Sequence, residues 1–223
     1  MAEEVDIEEL TEEAMHGDAD AQWRLGNCYY CGKDGVKQDY LQAAYWYKKA
    51  AEQGDLYAQF SLGHCYYTGK GVKKDYLQAV YWFEKAAEQG NASAQFYLGL
   101  CYYTGNGVEQ DYLQAAYWCK KSAEQGDADA QNILGDCYYY GNGVEQDYVQ
   151  AVYWYKKVAE QGNASTQFQL GFCYYTGKGV KQDYVQAAYW YKKAAEQGDA
   201  DAQFNLGLCY YGGKGVKQDY VQA

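Results

Sequence analysis

The sequence predicts an all-α fold, a solenoid of antiparallel helix pairs, and three observations predict it. "AEQG" recurs at 51–54, 87–90, 123–126, 159–162 and 195–198, always 36 residues apart, a period suited to stacked helical repeats. The composition is that of one unit copied many times, with 29 Tyr, 25 Gly, no Pro and a single arginine, Arg24. Within each period apolar residues recur twice at helical spacing, with a glycine-rich break between.

Residues 1–17 read as an N-terminal capping helix, largely polar; the opening "MAEEVDIEELTEE" holds seven acidic residues and no Lys or Arg. Taking each unit to end at the recurring glycine gives five full repeats, 18–54, 55–90, 91–126, 127–162 and 163–198, and a partial sixth, 199–223. The second unit shows the pattern. Ala58, Leu62 and Tyr66 recur at i, i+4 and i+8, which predicts a first helix over about Leu56 to Tyr67. "TGKGV" ends it, with Gly69 and Gly71 able to take positive φ. Asp75 is placed to cap a second helix, "YLQAVYWFEKAAEQ", and Gly90 to close it. Neither helix can bury its apolar stripe alone, whereas stacked pairs can. The first unit has one extra residue, "GKDGV" for "GKGV", which falls in the loop.

The net charge is −11. Without the acidic start the remainder is mildly negative, which favours neutral or basic partners and excludes the clustered basic charge of a nucleic-acid surface. No segment approaches the roughly 18 apolar residues of a membrane span, and the N-terminus lacks the basic and apolar regions of a secretory signal. The chain therefore reads as soluble and cytoplasmic.

The pattern "A…LG..Y..G.GV..D…A..W…AA.QG" strongly resembles the Sel-1-like repeat family, relatives of the tetratricopeptide repeats. Unit five carries it as Leu170, Gly171, Tyr174, Gly177, Gly179, Val180, Asp183, Ala187, Trp190, Tyr191, Ala194, Ala195 and Gly198, departing only at Thr166, where other units have Ala. The resemblance covers about residues 18–223. It implies scaffolds or adaptors that bind other proteins. "EEVD" at 3–6 imitates a C-terminal peptide ligand of tetratricopeptide domains, but here it is internal, has no free carboxylate and is read as chance.

Functional information lies in what changes between repeats. On a helical wheel, first-helix positions 4, 8, 11, 12 and 15 of the unit fall in an arc of roughly 20° to 120° and hardly vary. Positions 3, 7, 10 and 14 fall in a second arc and change freely. Candidate binding residues on this stripe are Arg24, Asn27, Tyr57, Ser61, His64, Tyr97, Leu100, Ile133, Asp136, Tyr140, Gln169, Phe172, Asn205 and Leu208. Neutral drift of an exposed face would also vary. Against drift alone, the exposed Lys positions of the second helix hardly change, and the stripe holds aromatic and aliphatic residues that solvent would not favour. In solenoids of this kind first helices line the concave side, so the stripe reads as a ligand groove. It suits a peptide with apolar anchors and basic residues, with Arg24 placed for a carboxylate. Binding energy is expected chiefly at Tyr97, Leu100, Ile133, Tyr140 and Phe172, and truncating Tyr97 or Phe172 is expected to leave stability unchanged. Tyr30, Tyr67, Tyr103, Tyr139, Tyr175 and Tyr211, identical in every unit, read as packing residues.

No chemistry-bearing cluster competes with this reading. Cys28, Cys65, Cys101, Cys137, Cys173 and Cys209 recur once per repeat, roughly 8–10 Å apart on packed helices, beyond the ~7 Å of a disulfide. They read as buried, reduced thiols. A secreted, cysteine-rich branch of the family has two cysteines per repeat, a pattern absent here. Cys28 and Cys31 lack a second ligand pair for a metal, and Cys119 reads as core. His64 and Cys65 are adjacent on a helix and diverge; His16 ends the cap; neither the serines nor "GKGVK" has a catalytic or phosphate-loop context. The expectation is a right-handed solenoid acting as a non-enzymatic scaffold or adaptor, with no cofactor or metal, no nucleic acid and no membrane. The rival readings are an array self-associating through its end faces and an enzyme of unknown type. "DYVQA" at the C-terminus stops short of the second helix, so apolar positions such as Leu206 and Tyr210 are expected to leave a sticky end.

Overall fold

The computed structural model describes residues 6–223. Among them are twelve α-helices: α1 (Ile7–Met15), α2 (Ala19–Cys31), α3 (Tyr40–Glu52), α4 (Leu56–Thr68), α5 (Tyr76–Glu88), α6 (Ala92–Thr104), α7 (Tyr112–Glu124), α8 (Ala128–Tyr140), α9 (Tyr148–Glu160), α10 (Ala164–Thr176), α11 (Tyr184–Glu196) and α12 (Ala200–Gly212). α1 is the cap; its predicted first five residues, and most of "EEVD", lie outside the described residues. Each repeat then contributes a first helix and, in the first five, a second.

The helices start and stop where local chemistry dictates. Asp18, Asp55, Asn91, Asp127, Asn163 and Asp199 precede the first helices, and each side chain accepts the backbone N–H three residues on. Such a cap is worth about 1 kcal/mol. Asp39, Asp75, Asp147 and Asp183 do the same for second helices. Gly71, in the loop of repeat two, has φ 74° and faces the Tyr40 carbonyl of the preceding repeat too closely for any Cβ.

The chain divides into two compact units, Met1–Asp111 and Tyr112–Ala223. In the first, α1 packs on α2 and each later helix packs on its chain neighbour. Ala43, Tyr47, Ala50 and Ala51 of α3 meet Ala58, Leu62 and Cys65 of α4, while the cap buries Leu10 and Ala14 against Leu25 and Cys28. In the second unit α7 to α12 likewise pack neighbour on neighbour, with Ala151, Tyr155 and Ala159 of α9 against Leu170 and Cys173 of α10. In the first five repeats the Ala or Thr, Leu and Cys positions of the unvarying arc are thus buried, and its Tyr position is partly covered.

Two devices lock a pair together. A Cβ on Gly63 would lie 2.7 Å from a Phe83 ring carbon, and one on Gly135 2.6 Å from Tyr155. The missing side chain lets a second-helix ring close onto the first helix, where it is fully buried. Buried glutamines then stitch successive helices. Gln59 Nε2 donates to the Ala51 carbonyl at 3.4 Å, and its Oε1 accepts from Gln89 at 2.8 Å. Gln22 and Gln167 repeat the arrangement.

Candidate functional site

The variable stripe comes to the surface as partly covered side chains, and in the first unit it converges. Asn27, Ser61, His64 and Tyr97, from three successive first helices, line one cavity of about 210 Å³ together with Tyr30, Tyr47 and Phe60. The Tyr47 hydroxyl donates to Asn27 Oδ1 at 2.8 Å. Tyr97 stacks on the buried Phe83 ring, centroids 5.2 Å apart and 23° between planes. His64 meets the Tyr97 ring edge-on at 5.6 Å. Burial and the Lys70 ammonium both hold its imidazole below the usual histidine range.

Arg24 lines a neighbouring cavity of about 260 Å³ with Trp23, Asn27, Cys31 and Lys33. Among the described residues its only ion pair is a loose 3.9 Å contact with Asp20, both side chains substantially exposed. Arg24 and His64 therefore flank Asn27 in separate cavities and do not share one. Tyr57 is exposed and rests on Trp23, ring centroids 5.2 Å apart. Leu100 is half-buried and lines neither cavity.

In the second unit the stripe is occupied with itself. Asp136 accepts from the Tyr155 hydroxyl at 2.7 Å and from Gln169 Nε2 at 3.3 Å. Burial raises its carboxyl above the usual range, outweighing the lowering effect of the Tyr155 bond. Phe172 packs into two core clusters, one around Tyr155 and one around Tyr191. The Tyr191 hydroxyl, whose counterparts bond Asn27 or Asp136, has the apolar Phe172 at that repeat position and, among the described residues, no hydrogen-bond partner. Ile133 is half-buried, and Tyr140 is exposed against Tyr139. Asn205 donates back to the Asp201 carbonyl at 2.8 Å. Leu208 lies with Phe204, Tyr211 and Tyr220 around an open cleft of about 700 Å³.

Three sequence expectations need correction. Tyr97 and Phe172 touch the core, so their truncation cannot leave stability unchanged. Tyr30 is not packing alone: it walls the first cavity, and its hydroxyl accepts from Lys70 at 3.1 Å. Exposed apolar side chains are also not peculiar to the stripe. Leu41 and Tyr45, 71% and 51% exposed, recur as Leu77/Tyr81, Leu113/Tyr117, Val149/Tyr153 and Val185/Tyr189 on the second helices, each Tyr under a Lys ammonium four residues on. What sets the stripe apart is variation, joined in the first unit to a cavity. Tyr47 lies on a second helix and Phe60 on another arc of a first helix, so variation along the stripe does not reveal them; for Tyr47 the available signal is Gly26, whose missing Cβ lets the second-helix ring through.

Seven cysteines are buried, Cys31 is exposed, and all eight are unpaired. Burial pushes the thiols of Cys65, Cys101, Cys137 and Cys173 up to about 12. Among the described residues no group of His, Cys, Asp and Glu could hold a metal, and no helix is long and apolar enough to cross a membrane.

Stacked helix pairs with unvarying interiors and one variable stripe define a helical-repeat scaffold. The Sel1 repeat profile matches residues 19–55, 56–91, 92–127, 128–163, 164–199 and 200–223. The chain belongs to the Sel1 repeat family, whose repeats generally serve as protein-interaction scaffolds. A comparison with curated proteins finds no match. Among solved structures, the chain is similar to a protective antigen present in uropathogenic Escherichia coli strains that displays an SLR fold, at 44% identity and TM-score 0.90, over 98% of this chain and 46% of that one. It thus spans about half the length of that relative. It is also similar to a Sel1 repeat protein from Oxalobacter formigenes, at 36% identity and TM-score 0.81, over 96% and 86% of the two chains.

Proposed function

We propose that the protein is a non-catalytic adaptor whose first-helix stripe binds a peptide or protein segment with apolar anchors and basic residues. One observation carries the reading: Asn27, Ser61, His64 and Tyr97, from three repeats, meet at a single open cavity walled by aromatic rings. Drift of an unused surface has no reason to assemble such a site. The net charge of −11 supports a partner with basic residues. Buried, unpaired thiols fit a reducing compartment, so we place the protein in the cytoplasm.

A photo-crosslinking residue at Tyr57 or Ser61, with one at Tyr45 or Tyr81 on second helices as control, tests the binding face in cells. Adducts from the stripe alone are expected. Equal or greater yield from the second helices would remove the stripe as the binding face. A second reading, association of copies through the last repeat, rests on the apolar cleft of Phe204, Leu208 and Tyr211. Sedimentation across concentration decides it: a Phe204→Ser/Leu208→Ser variant should abolish any concentration-dependent mass, and a strict monomer in the wild type would dismiss it.

A further inference from the structure

We propose that the 210 Å³ cavity of the first unit receives one tyrosine side chain of the bound segment, its ring among Tyr30, Tyr47, Phe60 and Tyr97 and its hydroxyl on Ser61 and His64. The proposal rests on the peptide-binding reading and names what one position of the stripe recognises.

Size sets the first limit. A cavity of ~150 Å³ can take benzene, so this open cavity takes one substituted ring. Four of the lining residues are aromatic, and a further ring packs on such walls edge-to-face or offset. Two walls are held in place beforehand, Tyr47 by its bond to Asn27 and Tyr97 by its stack on Phe83, so little order is lost on binding. The polar groups set the second limit. Among the described residues, neither the Ser61 hydroxyl nor the His64 ring makes a hydrogen bond. A neutral imidazole offers one acceptor nitrogen and one N–H, and the serine hydroxyl both donates and accepts. A phenol can give and take a hydrogen bond there.

Other side chains fit worse. Phenylalanine or leucine would strip water from Ser61 and His64 and replace none of its bonds. A lysine or arginine would be repelled by the Lys70 ammonium, which already sits 5.1 Å over the Tyr30 ring and donates to its hydroxyl. A carboxylate, though drawn by Lys70, would give up its water among aromatic rings for the Ser61 and His64 groups alone.

The chain has two histidines, His16 and His64, so imidazole NMR signals report the cavity with an internal reference. The probes are p-cresol, toluene and n-butylammonium, the side chains of tyrosine, phenylalanine and lysine, titrated into the full chain. p-Cresol should shift His64 saturably, on the order of 1 mM for so few atoms, and leave His16 unmoved. Toluene should bind about 3- to 10-fold more weakly, the worth of one net hydrogen bond, and n-butylammonium should give no saturable shift. Ser61→Ala, at a half-buried position outside the core arc, should bring p-cresol to within about twofold of toluene. Toluene equal to p-cresol in the wild type, or n-butylammonium as tight as either, would overturn the tyrosine assignment. So would an unmoved His64. These outcomes leave the adaptor reading standing if crosslinks still form at the stripe. Loss of the crosslinks with p-cresol binding intact would remove the adaptor reading and keep the pocket.

Discussion

Asp136 and Asn27 occupy the same repeat position and do the same job, accepting a hydrogen bond from a buried second-helix tyrosine. They differ in charge, and that decides their cost. Burial raises the Asp136 carboxyl above its unfolded value, so the folded chain holds that proton more tightly than the unfolded one. Its contribution to stability is then full below the ordinary aspartate range and is lost as pH rises through the raised value. At pH 7 the carboxylate works against folding. Asp136→Asn keeps the acceptor, so its Tm should exceed the wild type's at pH 7, with the gap closing as the pH falls below the aspartate range. A gap that widens in acid would contradict the assignment. The cysteines give a second residue-scale test. Native protein should react with a thiol reagent rapidly at Cys31 alone, and at all eight once unfolded; fast native labelling of Cys65 or Cys137 would show those helices to be open.

A helix in this protein is defined by what closes on it. Gly135 of α8 carries no side chain because the Tyr155 ring of α9 occupies the place. Alanine there gains up to about 1 kcal/mol of helix propensity. It also drives a Cβ to 2.6 Å from a ring that is fully buried, and overpacking of this kind costs about 1–3 kcal/mol with no room to relax. Gly135→Ala should therefore lower stability in chemical denaturation. Gly207→Ala, at the same repeat position but facing only atoms of Ala223, should be neutral or stabilising. Equal effects would mean that the ring contact does not govern the position. The glutamine stitches belong to this scale too. Gln59→Ala removes its bonds to the Ala51 carbonyl and Gln89, each of which keeps a partner at Gly54, an expected loss of about 1 kcal/mol.

Across the whole chain, binding and stability separate at some stripe positions and not at others. Tyr57 and Tyr140 are exposed, so Tyr57→Ala should cost on the order of 1–3 kcal/mol of partner affinity with stability within about 0.5 kcal/mol of wild type. Tyr97→Ala should lower both, since it also removes the ring stacked on Phe83, at about 2 kcal/mol for a half-buried aromatic. Calorimetry with the crosslinked partner and parallel melts check the split. A Tyr97→Ala protein as stable as wild type would mean the stack contributes nothing. The acidic balance of the chain further implies that affinity for a basic segment falls as salt rises.

The sequence by itself determined the repeat, its two helices, their caps and the buried arc, because each follows from local rules. An Asp or Asn accepts an N–H three residues on, a glycine takes positive φ, and apolar residues at i, i+4 and i+8 share a face. It also marked Asn27, Ser61, His64 and Tyr97 as one variable set. The tertiary structure alone decided which of them meet. Tyr47 reaches the stripe from another helix, Phe60 comes from a neighbouring arc, and Tyr30 is identical in every repeat, so variation could not reveal any of the three. Nor could spacing along one helix show that Phe172 and Tyr97 reach into the core, or that Asp136 and Gln169 satisfy each other. Tyr97 and Phe83 are 14 positions apart and Asp136 and Gln169 33, and the geometry of such contacts is set by how helix packs on helix rather than by any property of a single helix.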